Sequence, residues 1–163
     1  MAKIDAVSSV ARARYAAWVN KRTSSFGALS ADKSEALIEI MVMAACVDGQ
    51  LAPGEASLLR AMILETPGFG GIDQRGLSLI VESIAERVAI DGLEGRVRAV
   101  ANVLNSDPVL CQEAYLLAAA FVHFDGHVGT EEQDFLDALQ ATFELTDEAV
   151  AEIVALAEEL HSN

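Results

Sequence analysis

The sequence predicts an all-α protein, a single bundle of seven to eight helices with an internal pseudo-twofold repeat. Three observations carry that expectation. Apolar residues recur at a period of about 3.6 through most of the chain, and no stretch alternates with the period of a strand strongly enough to compete. Apolar residues make up 52% of the chain but aromatics only 6%, and Ala is abundant, which suits closely packed helices better than a sheet. Finally, a nine-residue element occurs twice between helical runs, VDGQLAPGE at 47–55 and FDGHVGTEE at 124–132. At 163 residues the chain can bury one full core without disulfide or metal staples.

Ile4, Val7, Ala11, Tyr15 and Trp18 share one face at helical spacing, so residues 3–20 are expected to form an amphipathic helix followed by a loop over 23–30. Its aromatic stripe, with basic residues outside it, fits either a membrane-surface helix or a helix docked in cis. Docking in cis, with Tyr15 and Trp18 covering the bundle, is the preferred reading. Asp32 and Glu35 are expected to open a second helix in the manner of a capping box, and its run Leu37, Ile40, Met41, Ala44, Ala45 stops at Gly49. Pro53 suits the first turn of a third helix, which continues through Leu58, Leu59 and Met62 to about Glu65.

TPGFGG at 66–71 is the clearest loop. Its glycines follow a helix and lack a phosphate-gripping Lys, so an ordinary turn is preferred to an anion nest, and Phe69 is expected to pack back onto the bundle. Helices over about 73–89 and 93–104 come next, the first with Leu77, Ile80, Val81 and Ile84 inward, the second with Leu93, Val97, Val100 and Leu104. Asp107 caps and Pro108 starts another, which runs through Leu116, Leu117 and Phe121 into the second copy of the repeated element. Helices over about 130–142 and, opened by Thr146 and Asp147, to about Leu160 complete the chain. On this layout residues 31–90 should superpose on residues 107–161.

The chain carries 11 Lys and Arg against 25 Asp and Glu, a formal charge of −14. Direct nucleic-acid binding is disfavoured, because it needs Lys and Arg to displace counterions; cations and basic proteins or peptides are the favoured partners. The charge is unevenly placed. Lys3, Arg12, Arg14, Lys21 and Arg22 crowd the first helix, and no Lys or Arg follows Arg98. The two cysteines, Cys46 and Cys111, lie in apolar helical settings and suggest no disulfide framework. No run is long enough to span a bilayer and no signal peptide is visible, so a cytoplasmic protein is expected.

In the repeated element Asp48, Gly49, Leu51 and Glu55 answer to Asp125, Gly126, Val128 and Glu132. The spacing matches the second half of an EF-hand loop, with an oxygen ligand at position five, a turn Gly at six and a Glu at twelve. The first half is missing, since positions one and three fall on Ala44 and Cys46 in one copy and on Phe121 and His123 in the other. These are therefore not EF-hands. Both glycines are expected at positive φ. Each Asp stands at a helix C-terminus, where the macrodipole disfavours its charge by about 0.3–1 kcal/mol, so something must compensate. Two readings supply it. The carboxylates cap the following helices, with Glu55 and Glu132 returning to the chain before them, or all four ligate one or two hard divalent cations.

The paired "Asp-Gly, aliphatic, then Glu" element, joining helices in a short Ala-rich acidic chain, resembles the tellurite-resistance TerB-like family over residues 31–162, with residues 1–22 a separate N-terminal amphipathic helix. The resemblance implies an all-helical cytoplasmic domain with a divalent-cation site linked to stress and toxic-anion resistance, and no established catalytic reaction. It points to calcium held by Asp48, Glu55, Asp125 and Glu132, and to a protein partner. Between the motif Gly and Glu this chain has Ala52, Pro53 and Gly54, and Gly129, Thr130 and Glu131, where the family often has Ser-Pro-Glu-like residues. The helix starts are thereby deprived of capping side chains and more falls to the carboxylates. The alternative is a metal-independent adaptor whose motif carboxylates cap helices.

Other candidates weigh less. His123 and His127 flank Asp125, but the first copy has Cys46 and Gln50 there, and the two histidines straddle a helix end, so core-edge or exposed imidazoles are preferred to a zinc site. Cys111 lies in the first turns of a helix, where a thiol pKa can fall; a buried small hydrophobe is the preferred reading. No HExxH, GxSxG or P-loop is present, and no enzyme is expected.

Overall fold

The computed structural model describes residues 12–22, 29–47, 53–69, 71–124 and 127–162. Among them seven helices follow in order: α1 Arg12–Arg22, α2 Ala31–Ala45, α3 Pro53–Glu65, α4 Gln74–Leu104, α5 Pro108–Val122, α6 Thr130–Phe143 and α7 Asp147–Ser162, with no strand. The all-α expectation holds.

Two helices form the centre. α2 is buried from Ala36 to Ala45 and α5 from Leu110 to Val122 save Gln112, so each is apolar nearly all round and must be surrounded. They pack on each other, and both carry small buried side chains, Ala44 and Ala45 on α2 and Ala118, Ala119 and Ala120 on α5. The other helices cover them with one apolar stripe each. α4 lies chiefly on α2 and α7 on α5, while α3 and α6 pack on the helices they follow. Among the described residues α4 also packs on α6, and α1 touches both α3 and α7.

The residues that hold α1 are those of its aromatic stripe. Tyr15 and Trp18 stack with ring centroids 5.9 Å apart. The Tyr15 hydroxyl lies 2.9 Å from Thr66 Oγ1, and since Thr66 Oγ1 donates to the Met62 carbonyl at 2.7 Å, Tyr15 is the donor in the pair. The indole Nε1 of Trp18 donates to the Leu156 carbonyl at 2.9 Å. Both aromatic residues are buried, so the helix docks in cis as expected. It extends to Arg22, and its expected start at residue 3 lies outside the described residues.

The helix starts follow the capping rules, with one correction. Asp73 accepts from Gly76 N at 2.6 Å, Asp107 from Leu110 N at 3.1 Å ahead of Pro108, and Thr146 Oγ1 from Ala149 N at 3.1 Å. At α2, however, the cap is Ser30, whose side chain accepts from Lys33 N at 3.3 Å; Asp32 falls inside the first turn and Glu35 is engaged elsewhere, with Arg87 at 2.7 Å. The turn after α3 is as expected. Gly68 takes φ 94, and Phe69 is buried on the bundle.

The two helices expected over about 73–89 and 93–104 form one element broken at Gly92, whose φ of 79 and ψ of 156 lie in a region that essentially only glycine enters. The arms 74–91 and 93–104 are regular on either side, with Leu77, Val81 and Ile84 buried on the first and Val97, Val100, Ala101 and Leu104 on the second.

Candidate functional site

In the sequence the two repeated elements fall between α2 and α3 and between α5 and α6. At the first, Cys46 ends α2, its N–H donating to the Met43 carbonyl at 3.0 Å, and Val47 is tucked partly against the core. Asp48, Gly49 and Leu51 lie outside the described residues. The chain resumes at Pro53, and Glu55 stands half-buried in the first turn of α3.

The second corner is seen more fully. His123 ends α5, donating its N–H to the Ala119 carbonyl at 2.8 Å, and Phe124 takes the place of Val47, half-buried against the core. Asp125 and Gly126 lie outside the described residues, so the positive φ expected at Gly126, like that at Gly49, does too. Beyond them His127 is exposed, Val128 packs partly against the core and Gly129 is the N-cap of α6. Gly129 has no side chain to offer its helix. Glu132, three residues on, turns back so that its Oε1 accepts the Gly129 N–H at 2.9 Å. That bond is the return half of a capping box, as the capping reading anticipates for this residue.

Charge gathers here in a way that spacing alone does not reveal. Burial pushes the His123 imidazole below its ordinary value, and the carboxylates of Glu158, from α7, and of Glu132 oppose that shift. Burial wins, so His123 is neutral at pH 7. The corner thus brings an imidazole from the end of α5 near carboxylates from α6 and α7. Among the described residues no group of three His, Cys, Asp or Glu side chains is placed to hold a metal ion. Asp48 and Asp125, the motif aspartates, are not among those residues.

Cys46 and Cys111 are both buried free thiols. Cys111 Sγ donates to the Leu104 carbonyl at 3.3 Å, and burial, helped by the Asp107 charge, raises its pKa; this is the inert small hydrophobe preferred above.

One cluster is not apparent from the helical pattern of the sequence. Glu39, in the middle of α2 with its side chain only 3% exposed, accepts from Arg96 Nε at 2.5 Å and Arg96 Nη2 at 2.9 Å, and from Arg87 Nη1 at 3.4 Å. Arg87 also pairs with Glu35 at 2.7 Å and Arg96 with Asp91 at 3.3 Å. The Glu39 carboxylate holds the Arg96 guanidinium still more firmly protonated than an ordinary arginine. An acid inside the apolar run Leu37–Ala45 was the available signal.

No protein-family model, curated protein or solved structure matches the chain. The TerB-like resemblance therefore rests on the paired element itself. No helix among the described residues is long and apolar enough to cross a membrane.

Proposed function

We propose that this chain is a non-enzymatic, acidic helical domain of the TerB-like kind that binds a divalent cation, calcium by preference, through Asp48, Glu55, Asp125 and Glu132, and serves in a cytoplasmic stress-response assembly. The observation that carries the proposal is the repetition of one carboxylate-bearing corner at the ends of the two central helices, with its Glu in the first turn of the next helix each time. Hard divalent cations take carboxylate oxygens and accept water in the remaining positions, so few protein ligands suffice. The N–H bond to Glu132 fixes one ligand's conformation before binding, which reduces the entropy lost on coordination. The charge of −14 adds a general attraction for cations and for a basic protein partner.

A second reading is favoured by that same bond. If capping is all the motif carboxylates do, the protein is a metal-independent adaptor whose acidic surface receives its partner. Heat denaturation with and without calcium separates the two. A ligand bound only by the folded chain raises stability by RT ln(1 + [L]/Kd), so cation binding predicts a melting temperature that climbs with calcium at constant ionic strength. A melting temperature indifferent to calcium selects the adaptor.

A further inference from the structure

We propose that α4 is a hinged helix in which Gly92 is the hinge and Glu39 the latch. The inference does not depend on cation binding. Arg87 and Arg96 are nine positions apart in the sequence. On an unbroken α-helix nine residues amount to about 13.5 Å of rise and about two and a half turns, a net offset of about 180°, so the two side chains would leave from opposite faces. They nevertheless converge on one buried carboxylate, Arg87 from the arm before Gly92 and Arg96 from the arm after it. Only the break at Gly92 permits this. Its φ of 79 with ψ 156 is closed to other residues, while no neighbouring atom lies within 4 Å of where a Cβ would stand, so backbone freedom and not crowding is what requires glycine here.

The two features hold each other in place. Straightening α4 would draw one arginine off Glu39 and leave a buried carboxylate short of a partner, which is costly in a medium of low polarity. Asp91, next to the hinge, braces Arg96 from outside, and Glu35 braces Arg87. The segment so latched is 93–104, which carries Val97, Val100, Ala101 and Leu104 into the core and leads through Asp107 into α5. It is also the stretch left between the two halves of the expected repeat, so the latch governs how the second half follows the first. Released, the arm would open as a unit about Gly92, exposing those four residues while 74–91 stays on α2.

Amide hydrogen exchange of the full chain, followed by mass spectrometry under native conditions, tests this. In Glu39→Gln, peptides from 93–104 should exchange at least about tenfold faster than in the parent, while peptides from 112–120 in the centre keep their protection. Arg96→Lys, which preserves charge but loses the two-pronged contact, is the milder variant and should show the same localised pattern. Gly92→Ala should reproduce it with Glu39 and both arginines intact. Exchange that rises equally in 93–104 and 112–120, or that does not change in the first two variants, overturns the proposal; so does a Gly92→Ala arm as protected as the parent's.

Discussion

Glu132 and His123 show how much a single residue at the second corner decides. The carboxylate serves the Gly129 N–H whether or not a cation is present, so Glu132→Ala should cost about 1 kcal/mol in calcium-free urea denaturation, whereas Glu132→Gln, which keeps an acceptor, should lose less. Equal stability of all three chains would remove the capping role. His123 has its folded pKa depressed below the ordinary 6.5, burial outweighing the pull of Glu158 and Glu132. The unfolded chain then takes up the proton first as pH falls. Stability from this residue is present above the ordinary value and is lost as pH drops below it toward the folded one. Urea midpoints of the parent should therefore fall more steeply than those of His123→Gln between about pH 7 and about pH 5, and matching slopes would contradict the assignment. Glu132 was legible from spacing, because a capping return needs only a three-residue interval. Glu39 was not. Its arginines lie 48 and 57 residues away, and a period scan treats one acid in an apolar run as noise.

Helices were the most legible level, since a 3.6-residue period together with Asp, Thr and Pro at the starts places an element without knowledge of its neighbours. The misplaced cap of α2 illustrates the limit: Ser30, Asp32 and Glu35 are all acceptable near a start, and the choice fell to Ser30 while Glu35 was drawn off to Arg87. Gly92 falls between the two helices expected over about 73–89 and 93–104, but that the chain turns there so that two arginines meet one carboxylate is a tertiary fact. For α1 the stripe sufficed. Trp18→Ala should destabilise by about 3 kcal/mol or more, as removal of a buried indole does, while Tyr15→Phe should cost only about 1 kcal/mol because Thr66 keeps its bond to Met62. Urea unfolding followed by far-UV circular dichroism measures both, and a Trp18→Ala loss smaller than that of Tyr15→Phe would mean that α1 is not held as described.

At the scale of the molecule, a central pair of helices, α2 and α5, each ends at a corner of the same sequence design and each is covered by the helices that follow it. Among the described residues α1 packs on α3 and on α7, whereas α4 packs on α6. The repeated element was legible in the sequence; its surroundings were not, because a motif fixes which residues follow a helix end and not what another helix brings, here Glu158 toward His123. A distributed charge of −14 would attract calcium diffusely, and salt screens such attraction within about 8 Å at physiological ionic strength. A built site survives that screening. The direct measurement is calorimetric calcium titration at physiological salt of the parent, of Asp48→Asn with Asp125→Asn, and of a control with two exposed acids outside both motifs neutralised, Glu82→Gln with Glu148→Gln. Cation binding at the corners predicts saturable heat in the parent and the control and its loss in the motif double variant; no saturable binding at millimolar calcium, or equal weakening in control and motif variants, contradicts it.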